Sequence, residues 1–167
     1  MSKLPEPTID TVKSRVETNL LNDGFLHPYA ILCTFKDKNV GVGISTPHNT
    51  DTKTINVSRL LVALDQIETY KVLLIHEAWK YIKPDNMDET EFAETMKDKA
   101  MCEFLDKREG YMITEVTRDS VKTGVREYHK TEYDTIGFVG DLLITNDNEK
   151  ASPYGYEQIQ DKLVTRN

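Results

Sequence analysis

The chain opens with apolar residues at helical intervals. Ile9, Val12, Val16 and Leu20 recur at spacings of three and four, which lays one apolar stripe on a helix over residues 8–23. Thr8 is placed to cap its start and Gly24 to end it. The period then changes. The run PYAILCTF is apolar and β-prone, Asp37, Lys38 and Asn39 form a polar turn, and VGVGIS returns, so residues 28–45 read as a β-hairpin. Gly41 and Gly43 fall on one side of the return strand. There they mark a bulge, a twist, or a place where backbone or ligand approaches closely. Residues 46–54 are polar and turn-rich and read as a loop. Val57, Leu60, Leu61, Leu64 and Ile67 restore the helical spacing over about 56–67.

The strongest strand is 70–79. Val72, Leu73, Leu74 and Ile75 are consecutive, which predicts burial on both faces and a central place in a sheet. A polar, acidic stretch follows. Phe92, Met96, Ala100 and Phe104 then predict a helix over roughly 89–106. Asp85, Asp88, Glu89, Glu91 and Glu94 load its N-terminal end, as the helix dipole favours. Residues 110–145 read as three strands, with the turn between the first two in DSVKTG, and short connections imply an antiparallel meander. Residues 146–153 form a polar linker, and a short helix over about 154–164 closes the chain. The expected fold is α+β: a single domain over 1–145 with helices packed on a largely antiparallel sheet, then 146–167 as linker and short helix.

Composition narrows the class. The chain has 167 residues, enough for one domain with a core of its own. No apolar stretch approaches the roughly 20 residues that span a bilayer. MSKLPEPTID lacks the apolar core of a secretory signal, so the expected location is cytoplasmic, or the host cytoplasm for a viral protein. A net charge of -7 argues against general nucleic-acid binding. Cys33 and Cys102 are isolated in sequence and are expected as free thiols. No His/Cys cluster has metal spacing, and no phosphate-binding glycine motif occurs, so neither metal nor cofactor is called for.

Two groups of residues can carry chemistry. The first is His76, Glu77 and Trp79, where polar groups emerge at the end of the buried strand and a scaffold would hold them rigidly. His76 can titrate near neutral pH, Glu77 can accept a proton and Trp79 can form an aromatic wall. Lys80 occupies the second histidine position of the HExxH zinc motif, which is therefore absent. The structural reading pairs Glu77 with Arg108, at the start of the next strand. VLLIHEAWKYI followed by KREGYMITEVTRD resembles a family of small uncharacterised bacterial and phage proteins with a strand ending in Glu-Ala-Trp and a later Arg. The matching residues are Glu77, Ala78, Trp79 and Arg108, with Glu109 following Arg108 directly. The resemblance implies an α/β fold and an accessory, viral role, with no established activity.

The second group is a pair of triplets, His48-Asn49-Thr50 and His129-Lys130-Thr131. They resemble the paired signature of two-histidine phosphoesterases. The resemblance implies that His48 and His129 act as general base and acid on a cyclic-nucleotide or RNA-like phosphodiester, while Thr50 and Thr131 hold phosphate oxygens. The polar surroundings of His48 lead instead to the expectation that the two rings lie far apart. Tyr128, Tyr133, Tyr154 and Tyr156 gather toward the C-terminus and read chiefly as packing. The leading expectation is a non-enzymatic binding protein of phage-accessory type, acting on a host protein or a small ligand through His76, Glu77, Trp79 and Arg108. The alternatives are the phosphoesterase and a structural or virion component. Oligomeric state is not read from the sequence.

Overall fold

A computed structural model describes residues 6–36, 38–46, 50–81, 86–98, 107–133, 135–146 and 156–165. Helix α1 (Ile9–Asp23) forms on the predicted stripe, and Ile9, Val12, Val16 and Leu20 are its buried residues. Thr8 caps it: the Thr8 hydroxyl accepts from the Thr11 N–H at 3.2 Å, and the Thr8 N–H donates to the Thr11 hydroxyl at 2.7 Å. Gly24 ends it at φ 76°, a left-handed conformation that glycine adopts at little cost, and its N–H donates to the Leu20 carbonyl.

Strands β1 (Tyr29–Cys33), β2 (Val40–Gly43), β3 (Lys71–Tyr81), β4 (Lys107–Thr117), β5 (Val121–Lys130) and β6 (Ile136–Asn146) form one antiparallel sheet in the order β2-β1-β3-β4-β5-β6. The expected α+β fold is therefore present. β3 lies inside the sheet, and its four consecutive apolar residues divide between two cores. Leu73 and Ile75 meet α1 together with Tyr111, Ile113 and Tyr128. Val72 and Leu74 face the other way, onto helices α2 (Thr50–Gln66) and α4 (Tyr156–Lys162) through Leu60, Leu64 and Ile159. Each such side chain contributes roughly 1.5–3 kcal/mol by leaving water.

Several expectations are corrected. α2 begins at Thr50, inside the stretch read as a loop. Its first turns carry Asp51, Thr52, Lys53 and Thr54, so no apolar period announces them, although an acidic residue there suits the helix N-terminus. Helix α3 (Glu89–Asp98) covers the first part of the expected 89–106, and Ala100 and Phe104 lie outside the described residues. Asp88 caps it, its carboxylate accepting from the Glu91 N–H at 2.7 Å. The β4–β5 turn is shorter than DSVKTG: the Thr117 N–H donates to the Ser120 carbonyl, and Val121 already belongs to β5. Gly41 and Gly43 sit in a regular β1–β2 register with nothing within 4 Å of where a Cβ would stand, so neither bulge nor close approach explains them.

Beyond residue 145, the short C-terminal helix packs on the sheet. Ile159 and Leu163 are fully buried in the second core. The Val164 N–H donates to the Thr69 carbonyl, Arg118 to the Leu163 carbonyl, and Gln160 to the Thr117 carbonyl. The C-terminal helix is thus part of the same body as the sheet. Among the described residues, no helix is long and apolar enough to cross a membrane.

Candidate functional site

His76 and Glu77 are adjacent in β3, and strand geometry sends successive side chains to opposite faces. Glu77 stands on the α1 face. Its carboxylate accepts from the Tyr128 hydroxyl at 2.9 Å and from the Leu26 N–H at 3.2 Å. Tyr128 is 2% exposed. The expected Glu77–Arg108 pair is absent. Arg108 lies three rungs further along, in register with Lys80, and its guanidinium meets Glu127 at 3.4 Å near the surface. Glu77 and Arg108 belong to opposite faces of the sheet, so no rotamer joins them. Trp79 is in register with Glu109 in the β3–β4 ladder.

A second carboxylate works beside Glu77. Glu17 of α1 accepts from the Tyr111 hydroxyl at 2.5 Å and from Arg126 at 2.6 Å. Arg126 also donates to the Gly140 carbonyl and lies 4.7 Å from the Phe138 ring centre. Each carboxylate therefore takes one phenol, and together they fasten α1 and the chain after it to β3, β4 and β5. Burial, reinforced by the adjoining carboxylates, raises the pKa of both Tyr111 and Tyr128. These phenols stay protonated as donors. The arrangement is a latch between α1 and the sheet.

His76 stands on the other face, beneath α2 and α4. Its Nδ1 lies 2.8 Å from the Glu77 carbonyl oxygen. A carbonyl only accepts, so Nδ1 carries the proton and Nε2 presents a lone pair. Burial lowers the His76 pKa; the carbonyl contact opposes this, and the Lys53 charge adds to the lowering. The ring is neutral at pH 7 on that account. His76 lines a recess with Ile44, Lys53, Asn56, Val57, Leu60, Leu74, Tyr156 and Ile159. The recess has a volume of about 30 Å³, room for about two waters at roughly 10–15 Å³ apiece. Asn56 is tied down by Ser45, accepting from its N–H at 2.8 Å and donating to its carbonyl at 2.6 Å. Lys53, His76 and Tyr156 add polar groups to the lining, and the remaining wall is aliphatic.

The second sequence-derived group falls only partly within the described residues. His129 is exposed on β5, in register with Gly137. The Thr131 hydroxyl is engaged in the β5–β6 turn, sharing a 2.5 Å hydrogen bond with the Thr135 hydroxyl and accepting from the Tyr133 and Thr135 N–H groups. Thr50 is the first residue of α2. His48 lies outside the described residues, as does Cys102; Cys33 is a buried free thiol. Among the described residues, no group of three or more His, Cys, Asp or Glu side chains is placed to hold a metal ion.

Sequence reasoning missed Lys53, Asn56, Glu17 and Arg126. Lys53, Asn56, Val57 and Leu60 stand at i, i+3, i+4 and i+7, so a helix begun at Thr50 would have put them on one face. Glu17 and Arg126 are 109 residues apart, and no local pattern links them. Comparison of the chain with protein-family models, with curated proteins and with solved structures finds no match.

Proposed function

We propose that this is a non-enzymatic binding protein whose recess at His76 takes a short aliphatic carboxylate. One observation carries the reading: a buried, neutral imidazole and a lysine line one small, largely aliphatic recess. The aliphatic body of the guest replaces water against Val57, Leu60, Leu74 and Ile159. Its carboxylate rests beside His76, and the negative charge there favours protonation of Nε2, which then donates to it. The recess is too small to enclose a nucleotide. Glu77 lies behind the sheet and has no access to this guest, so the pair has no shared acid–base role.

Propionate is the probe. In protein-detected NMR it shifts the ring signals of His76 saturably, and propanol at equal concentration produces less of that shift. No saturable shift at His76 overturns the reading. Cyclic oligonucleotides remain intact under the same conditions. Their cleavage, lost on His129→Ala, would make the protein a phosphoesterase instead.

A further inference from the structure

We infer that Lys71 heads a carboxylate socket on the α1 side of the sheet, which the chain fills from within: residues 6–8 form a strap, and Glu6 is its ligand. The inference is independent of the recess, which lies on the other face. Lys71 opens β3, and strand alternation puts it on the same side as Leu73 and Ile75, toward α1. Its side chain is only 4% exposed. Lysine is almost never so buried unless it is paired. The Lys71 Nζ donates to a Glu6 carboxylate oxygen at 2.9 Å. Among the described residues, Glu6 is its one ion-pair partner.

The surroundings explain why the ligand is an anion. Lys71 is in register with Cys33 on one side and Thr117 on the other. Cys33 is fully buried in the first core, as is Leu73, two residues along the strand. The Thr117 hydroxyl is committed to Ser120. These neighbours bring no negative charge. A buried charge left unpaired is costly, and an anion in contact offsets that cost. A carboxylate suits the site: it carries one negative charge, and its oxygens only accept, as the three donors of an ammonium require.

Glu6 is the outer member of the pair, with its side chain 37% exposed. It belongs to neither the sheet nor α1 and lies two residues before the helix cap Thr8. It stands 65 residues from Lys71 in sequence, so the folded chain delivers it as a tethered ligand. A short tether gives an effective concentration on the order of mM. A free carboxylate must reach roughly that concentration to compete. In the wild type the strap therefore keeps the socket closed. Loss of the Glu6 carboxylate opens the socket outward, and a small free acid such as acetate then takes the same place at the ammonium.

Chemical rescue, read by urea unfolding of the full chain, tests this. Glu6→Ala is expected to lower the folding equilibrium constant about tenfold or more, since a nearly buried cation loses its partner. Sodium acetate should restore it saturably, with half of the effect in roughly the mM range. Sodium chloride at equal ionic strength should not. The same acetate should leave the wild type unmoved, and adding Lys71→Met to Glu6→Ala should abolish the rescue, because the ammonium is gone. If Glu6→Ala is unfolded in chloride, the acetate titration is read as refolding. A second measurement uses the wild type alone: reductive methylation followed by mass spectrometry leaves Lys71 unmodified while the exposed Lys122 and Lys130 react. A Glu6→Ala chain as stable as the wild type overturns the inference. So does one that acetate stabilises no more than it stabilises the wild type, and so does a wild-type Lys71 methylated as fast as Lys122.

Discussion

At the scale of single residues, Glu77 shows how the face of a strand decides a partner. Its carboxylate bonds Tyr128 and the Leu26 N–H, not Arg108. A double-mutant cycle of Glu77→Gln with Tyr128→Phe should give a coupling of about 1.5–3 kcal/mol, the range for a hydrogen bond to a charged group. The cycle of Glu77→Gln with Arg108→Ala should give none, and measurable coupling there would restore the pair expected from sequence. His76 has a pH signature of its own. Its pKa is lowered in the folded state, mainly by burial. The unfolded chain therefore takes up a proton first as pH falls, and stability is lost as pH drops below about 6.5, with a slope of at most ~1.4 kcal/mol per pH unit. Above that pH the contribution is fully present. Urea unfolding at several pH values should show a shallower acid decline for His76→Gln than for wild type. Equal slopes would mean that His76 is not buried neutral.

At the scale of elements, periodicity was informative wherever one face is buried and the other wet. The α1 stripe and the four-residue apolar run of β3 were legible for that reason, and so was the antiparallel meander. The start of α2 was not, because its first turns are polar and an apolar period is absent there. The division of His76 from Glu77 was implicit in strand alternation, but the partners of each come from distant segments: α2 and α4 for one, α1 and β5 for the other. Backbone approach also shows only in three dimensions. A Cβ on Gly110 would stand 2.6 Å from the Arg126 carbonyl oxygen, whereas one on Gly41 meets nothing within 4 Å. Gly110→Ala should therefore destabilise by roughly 2 kcal/mol or more, since backbone must shift. Gly41→Ala should be neutral or stabilise by about 0.5 kcal/mol through the unfolded chain. Thermal melts of the two variants side by side test this, and equal effects would contradict the β4–β5 register. Leu74→Ala should cost about 2–5 kcal/mol, as a buried aliphatic leaving a cavity does.

At the scale of the whole molecule, the sheet acts as a partition. The α1 side holds carboxylates already committed to phenols and a guanidinium. The α2–α4 side holds the neutral imidazole and the recess. α4 closes that side through Tyr156 and Ile159, so the C-terminal helix, which sequence set apart from the domain, helps to build the candidate site. The central claim is that His76 is the group that meets the guest. NMR titration of the His76 ring tests it most directly, without and with saturating propionate. The account predicts a midpoint below the ordinary value of about 6.5 for the free protein, and a rise on adding propionate as the carboxylate comes to rest beside the ring. A midpoint at the ordinary value that propionate leaves unmoved would contradict it.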